Sequence, residues 1–210
     1  MGISTYFSKN IRLRTERLLL RKIRVSDASD MYEYSCRPET SEYLLWDVHP
    51  YYSYTLEVAK YLQKEYSDGK CMDFAIEYKE NGKMIGTVGF TSFDEKNSVA
   101  EAGYVLSPDY WGKGIATEAL TALLNFAFCE LGLNRVEAKY IVENKPSLKV
   151  MEKCGLKPEG VLRQRMLIKG KYRDIGICSI LKSEYFTVKR DNIYAENEHK
   201  GVFARLFHKN

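Results

Sequence analysis

The stretch Ser107–Leu120, "SPDYWGKGIATEAL", decides how the rest of the chain is read. Gly112 and Gly114 flank Lys113, and a long apolar-periodic run follows. A dinucleotide fold, an ATP loop and a plain helix start all begin this way. The dinucleotide fingerprint needs a third glycine, but Thr117 stands there and no repeated βαβ half is visible. The ATP loop needs Ser or Thr after Gly112-Lys113, and Gly114 stands there instead; Ser107 occupies the place of that loop's first glycine. Two readings remain. The glycines either serve only a tight strand-to-helix turn, or they build an anion site. The first N–H groups of a helix are unpaired and carry partial positive charge, which suits a phosphate. Gly112, Gly114 and Ala116 let a ligand approach the backbone, and Lys113 adds a charge.

Working outward, "SVAEAGYVLSP" before the loop is a strand stopped by Pro108. After the loop, Ala119, Leu120, Leu123, Leu124, Ala127, Phe128 and Leu131 line one helix face, and Gly132 caps it. "RVEAKYIV" is the next strand, and "NKPSLKVMEKCG" a short helix with Asn144 at its N-cap and Pro146 in its first turn. "GVLRQRMLIK" and "RDIGICSILK" are two closing strands, joined by a turn at Lys169–Lys171. Upstream, "CMDFAIEYKENGKMIGTVGFTSF" is a hairpin around Asn81-Gly82. "RLLLRKIRV" is a first strand, with one helix starting at Ser26–Asp27 and another running through Leu56, Ala59 and Leu62. The order is strand, two helices, hairpin, strand, helix, strand, helix, two strands. That predicts an α/β (α+β) fold: one three-layer domain over residues 1–186, with helices on both faces of a mixed sheet. Residues 187–210 form a C-terminal tail with Val202, Phe203, Leu206 and Phe207 at helical spacing, either ordered or frayed.

The net charge of +4 permits an anionic ligand without arguing for a nucleic-acid surface, because basic and acidic residues are interspersed. Five widely spaced cysteines and three histidines argue against a disulfide framework and a metal centre. No signal peptide and no membrane-spanning apolar run is visible, so a cytoplasmic location is expected.

"YVLSPDYWGKGIATEALTALLNFAF" resembles the acetyl-CoA signature of the GNAT acetyltransferase superfamily, and "YWGKGIATEA" that of its RimJ/RimL-type branch. The usual pattern opens on Gln or Arg, and Trp111 stands there. "TERLLLRKIRVSDA", "AEAGYVLSP" and "LNRVEAKYIVENKPSLKVMEKCGLKPEGVLR" continue the resemblance in the same order, over about residues 15–183. It implies a mostly antiparallel sheet splayed between its fourth and fifth strands. It also implies acetyl-CoA as co-substrate without a metal, and acetyl transfer by direct attack of a primary amine in a ternary complex. The acceptor is either a protein N-terminus, such as a ribosomal protein's, or a small amine. A non-catalytic acyl-CoA-binding module of the same fold is the alternative.

The resemblance assigns pantetheine contacts to the backbone near Tyr104 and Leu106, and the pyrophosphate to Trp111, Gly112, Lys113, Gly114, Ile115, Ala116 and Thr117. Asn144 is placed to bond the pantetheine amide as well as to cap its helix. Amines have pKa values of about 8–10.4, so the attacking group needs a base. Glu101 stands where several members of the family carry one, with Glu77 in reserve; a salt-bridged strand glutamate is the competing reading. Many members place a tyrosine seven residues after the asparagine, where this chain has Met151. Ser147 in the first turn is the candidate to bond the CoA sulfur, against a serine with no such role. Trp46, Tyr51 and Tyr52, in the aromatic segment between the first two helices, are candidates to line the acceptor pocket, against ordinary packing. His49 is read as a satisfied polar residue. A homodimer stays open, with Phe203 and Phe207 of the tail available to help make one.

Overall fold

A computed structural model of the chain describes residue 6 and residues 9–69 and 72–187. The tail residues Val202, Phe203, Leu206 and Phe207 lie outside the described residues. Among the described residues the strands are β1 (Leu13–Arg14), β2 (Leu18–Arg21), β3 (Met72–Tyr78), β4 (Met84–Asp94), β5 (Val99–Leu106), β6 (Arg135–Ile141), β7 (Lys157–Ile168) and β8 (Lys171–Leu181). The helices are α1 (Ala28–Ser35), α2 (Pro38–Ser41), α3 (Tyr52–Ser67), α4 (Ile115–Asn125) and α5 (Lys145–Lys153). Strand order across the single sheet is β1-β2-β3-β4-β5-β6-β8-β7. Every pairing is antiparallel except β5 with β6. A parallel neighbour needs a long crossover, and α4 supplies it.

Alternation along the strands sorts the two faces. Phe74, Ile76, Ile85 and Val88 join Ile115, Leu120, Leu123 and Leu124 in the larger core, under α4. Ala75 and Met84 point the other way, into a second cluster with Met31 and Tyr34 of α1 and Tyr66 of α3. Fully burying one such leucine stabilises the fold by about 1.5–3 kcal/mol, so the side-chain period of two fixes the register firmly. The end of α4 opens into a π-helical turn, Phe126–Glu130, closed by Leu131 N–H to the Phe126 carbonyl. The wider turn buries three consecutive residues, Phe126, Ala127 and Phe128.

The splay falls between β5 and β6. These are the two strands named from the sequence as fourth and fifth, renumbered because β1 adds one at the edge. They pair only over Val99–Ala102 and Arg135–Ala138. Beyond that, β5 follows β4 through Tyr104↔Val88 to Leu106↔Gly86, while β6 follows β8 through Lys139↔Ile177 to Ile141↔Ile175. A register shift in β4 between Phe90 and Ser92 lies beside the point of departure, and a bulge bends its strand there. No described helix is long and apolar enough to cross a membrane.

Candidate active site

The glycine loop lies at the mouth of the splay. Gly112 and Gly114 have φ of +72° and +75°, the left-handed region that other residues avoid, and Gly114 is the N-cap of α4. The first bond of the helix runs from Glu118 N–H to the Gly114 carbonyl. The N–H groups of Ile115, Ala116 and Thr117 therefore precede the hydrogen-bonded ladder and lack intrahelical acceptors. Unpaired N–H groups at a helix start suit a phosphate-type anion. Trp111, at the position where the family pattern has Gln or Arg, is half exposed and donates its indole N–H to the Leu106 carbonyl at 2.8 Å. It ties the loop to the end of β5. The Leu106 carbonyl is thereby taken, leaving the backbone of Gly103–Val105 without a strand partner on the β6 side.

The loop has a second anchor. The Arg17 guanidinium donates to the Lys113 carbonyl at 2.9 Å and pairs with Glu118 at 2.7 Å. Glu118 also accepts from Thr15 Oγ1 at 2.5 Å and from Arg17 N–H at 2.9 Å. Burial alone would raise the Glu118 pKa; the three bonds outweigh it and lower the pKa, so the carboxylate stays charged. In a trans peptide the C=O and the next N–H point in opposite directions. Holding the Lys113 carbonyl on Arg17 therefore turns the Gly114 N–H away from Arg17. Arg17→Ala is expected to raise the acetyl-CoA KM about 5–10-fold, the loss of one charge-assisted bond, with kcat little changed. Steady-state kinetics with acetyl-CoA varied measures it; an unchanged KM removes the anchor.

Across the splay, Asn144 Oδ1 accepts the Ser147 N–H at 3.1 Å as the N-cap of α5, leaving its NH2 group without a partner among the described residues. Ser147 meets a group the sequence did not announce. The Tyr104 phenol lies 2.9 Å from both Ser147 Oγ and the Ser147 carbonyl. Burial pushes its pKa up, against the lowering by Ser147, so it stays a protonated donor. Met151, at the position where the resemblance called for a tyrosine, is buried in the core. A phenol still reaches the first turn of α5, from β5.

On the opposite face, Glu101 Oε2 lies 2.6 Å from Lys139 Nζ on β6, beside the start of the splay. Glu77 belongs to another network: Arg21, 2% exposed, holds Glu77 at 2.5 Å and Asp27 at 2.7 and 2.8 Å. His49 is buried, its Nδ1 shared between Ser35 Oγ at 2.9 Å and Thr55 Oγ1 at 2.8 Å. Burial lowers its pKa, so it is a neutral structural residue. The Trp46 ring lies 5.2 Å from that of His49. Tyr51 and Tyr52 are exposed at the start of α3, edge-on to Tyr54 and Tyr32 respectively. None of these three aromatics has a described contact with Glu101. The segment before them is tied down at its other end, where Lys169 Nζ donates to the Ser41 carbonyl at 2.5 Å and Tyr43 packs with Ile141 and Ile175. Among the described residues no cluster of His, Cys, Asp or Glu is arranged to hold a metal.

A sheet that opens beside a glycine loop, with an N-capped helix on the far bank, defines an acyl-carrier transferase cleft. Residues 17–157 match the family described as "Acetyltransferase (GNAT) domain", and the chain belongs to that family. An uncharacterized N-acetyltransferase, p20, of Bacillus licheniformis is 38% identical over 82% of this chain and 97% of its own. A spermidine N(1)-acetyltransferase of Vibrio cholerae is 29% identical over 67% of this chain and 80% of its own. Among solved structures, the microcin C7 self-immunity acetyltransferase MccE in complex with acetyl-CoA and AMP superposes with a TM-score of 0.71 at 26% identity, covering 80% of this chain and 93% of that one. The protein is an acyltransferase of the N-acetyltransferase type.

Proposed function

We propose that the chain transfers the acetyl group of acetyl-CoA to a primary amine, either a peptide N-terminus or a small amine, in the cytoplasm. The observation that carries this is the four-residue pairing of β5 with β6, which leaves an open groove beside the Gly112–Gly114 cradle. The binding of acetyl-CoA by MccE supports the same reading. The residues present fit that co-substrate, since unpaired amides suit its pyrophosphate and unpaired strand backbone suits its pantetheine amides.

Acetyl-CoA supplies an acetyl group activated as a thioester. The amides from Gly112 to Thr117 hold the pyrophosphate, Lys113 adds its charge, and Trp111 fixes the loop. The backbone at Tyr104 and Leu106 borders the pantetheine, and an N–H of this strand faces the thioester carbonyl. The Asn144 NH2 group bonds the pantetheine amide. Ser147, held by Tyr104, orients the sulfur. Glu101, ion-paired with Lys139, takes the proton of the attacking amine, directly or through water. Trp46, Tyr51 and Tyr52 form the acceptor's outer wall.

Thiol release from acetyl-CoA, measured with a panel of peptides and small amines, tests the activity. Turnover dependent on an amine is expected; CoA binding without turnover on any acceptor overturns it. Within that assay Glu101→Gln is expected to lower kcat about 100-fold, and Ser147→Ala less than about 10-fold. Unchanged turnover in Glu101→Gln removes Glu101 from the reaction.

A further inference from the structure

Most carboxylates on or around the sheet face that carries Glu101 have partners: Asp27 and Glu77 on Arg21, Asp30 on the Met84 N–H, Glu101 on Lys139, and Glu137 on Arg135. Asp73 of β3 has none among the described residues. Only its main chain is bonded, the carbonyl accepting from Tyr66 Oη at 2.6 Å. The side chain sits in a recess that water still reaches, and burial without a counter-charge pushes its pKa up to about 6.

The recess has a direction. Asp73 lies opposite Gly89 on β4, and Gly89 opposite Gly103 on β5. A Cβ at Gly89 would come within 2.1 Å of Asp73 Oδ1, so the carboxylate leans over that glycine toward β5. A Cβ at Gly103 would come within 3.1 Å of the Thr91 methyl group. Gly89 and Gly103 thus form a low strip between Asp73 and the point where β5 leaves β6, with the Thr91 methyl group standing at its side. Gly103 is the first residue past the last β5–β6 pair, Ala102↔Ala138. One strand spacing, about 4.8 Å, separates the Gly89 backbone under the carboxylate from the edge of the splay.

We propose that Asp73 is the docking carboxylate of the acceptor, holding a primary ammonium group over Gly89 and Gly103 at the rim of the splay. The strip is narrow, with the Thr91 methyl group as its wall, which suits an unbranched alkyl chain. A small acceptor with two amino groups fits best, one on Asp73 and the other at the thioester. An ammonium ion also supplies the counter-charge that this carboxylate lacks among the described residues. The assignment rests on the acetyl-transfer reading of the same cleft.

The test is steady-state transfer at saturating acetyl-CoA, with 1,4-diaminobutane and n-butylamine as acceptors. The wild-type chain is expected to prefer the diamine by about 10-fold or more in kcat/KM, the worth of one charge-assisted bond. Asp73→Asn should abolish that preference through the diamine KM, leaving the acetyl-CoA KM unchanged. Gly103→Ala, which sets a methyl group on the strip, should raise the diamine KM and keep the preference. A diamine KM within twofold of wild type in Asp73→Asn overturns the docking role and leaves the transferase reading intact. Absence of acetyl-CoA binding by the wild-type chain overturns both.

Discussion

Gly114→Val is expected to weaken acetyl-CoA binding by at least about 100-fold while the domain stays folded. The cause is conformational. A Cβ at Gly114 would meet only an Arg17 guanidinium nitrogen, at 3.6 Å, an ordinary contact. Its φ of +75° is another matter, since a β-branched residue there costs about 1–2 kcal/mol or more. The chain escapes by turning the peptides around residue 114 out of the left-handed region. That re-aims the Gly114 N–H and frays the first turn of α4. Each amide lost from a phosphate costs about 1.5–3 kcal/mol, so two are enough for the stated loss. The strain is small beside the stability of a domain this size. Calorimetric titration with CoA, alongside a thermal melt, separates the two effects. An affinity within threefold of wild type in a folded variant places the pyrophosphate elsewhere.

The second large effect runs the other way. Asp73→Asn is expected to stabilise the folded chain by about 2 kcal/mol at pH 7.5, raising Tm by roughly 4–8 °C. The Asp73 carboxyl has its ordinary value of 3.8 raised to about 6 by desolvation. The folded state therefore holds this proton to higher pH than the unfolded state does. Stability is lost as pH rises from about 4 through about 6, because the unfolded chain ionises more readily. Two pKa units correspond to nearly 3 kcal/mol, and the group's partial access to water reduces that. Asparagine has the same shape and no charge to desolvate. The gain should shrink as pH falls and vanish near pH 4. A gain in Tm that is the same at pH 4 and pH 7.5 excludes the charge as its source. The acceptor kinetics above measure whether this cost in stability goes with acceptor binding.

Much of the fold was legible because its signals are local. Asn81-Gly82 marks the hairpin between β3 and β4, and the helical spacing from Ile115 marks α4. Asn144 caps α5 as its residue type predicts. What escaped depends on contacts distant in sequence or on runs too short to show a period. β1 has two residues and so carries no alternation. The π-helical turn disguises itself as a continuing helix, because Ala127, Phe128 and Leu131 keep an apolar pattern through it. At the site, the tight turn at Gly112 and Gly114 was readable from those residues, since positive φ is what they permit, whereas its reading as a pyrophosphate loop came from the family resemblance. The surroundings of Arg17, Tyr104 and Asp73 were not readable. Each follows from a partner about a hundred, or about forty, residues away, or from having none, and the parallel register that brings Lys139 to Glu101 is equally invisible in one dimension.

The Arg17 anchor has a thermodynamic corollary. Thr15 and Arg17 form the turn between β1 and β2, so the groups that set the loop's geometry belong to the outermost margin of the sheet. Linkage makes that relation reciprocal. Under the proposed function, whatever frays the margin at residues 13–18 weakens the grip on the pyrophosphate, and bound acetyl-CoA in turn holds that margin closed.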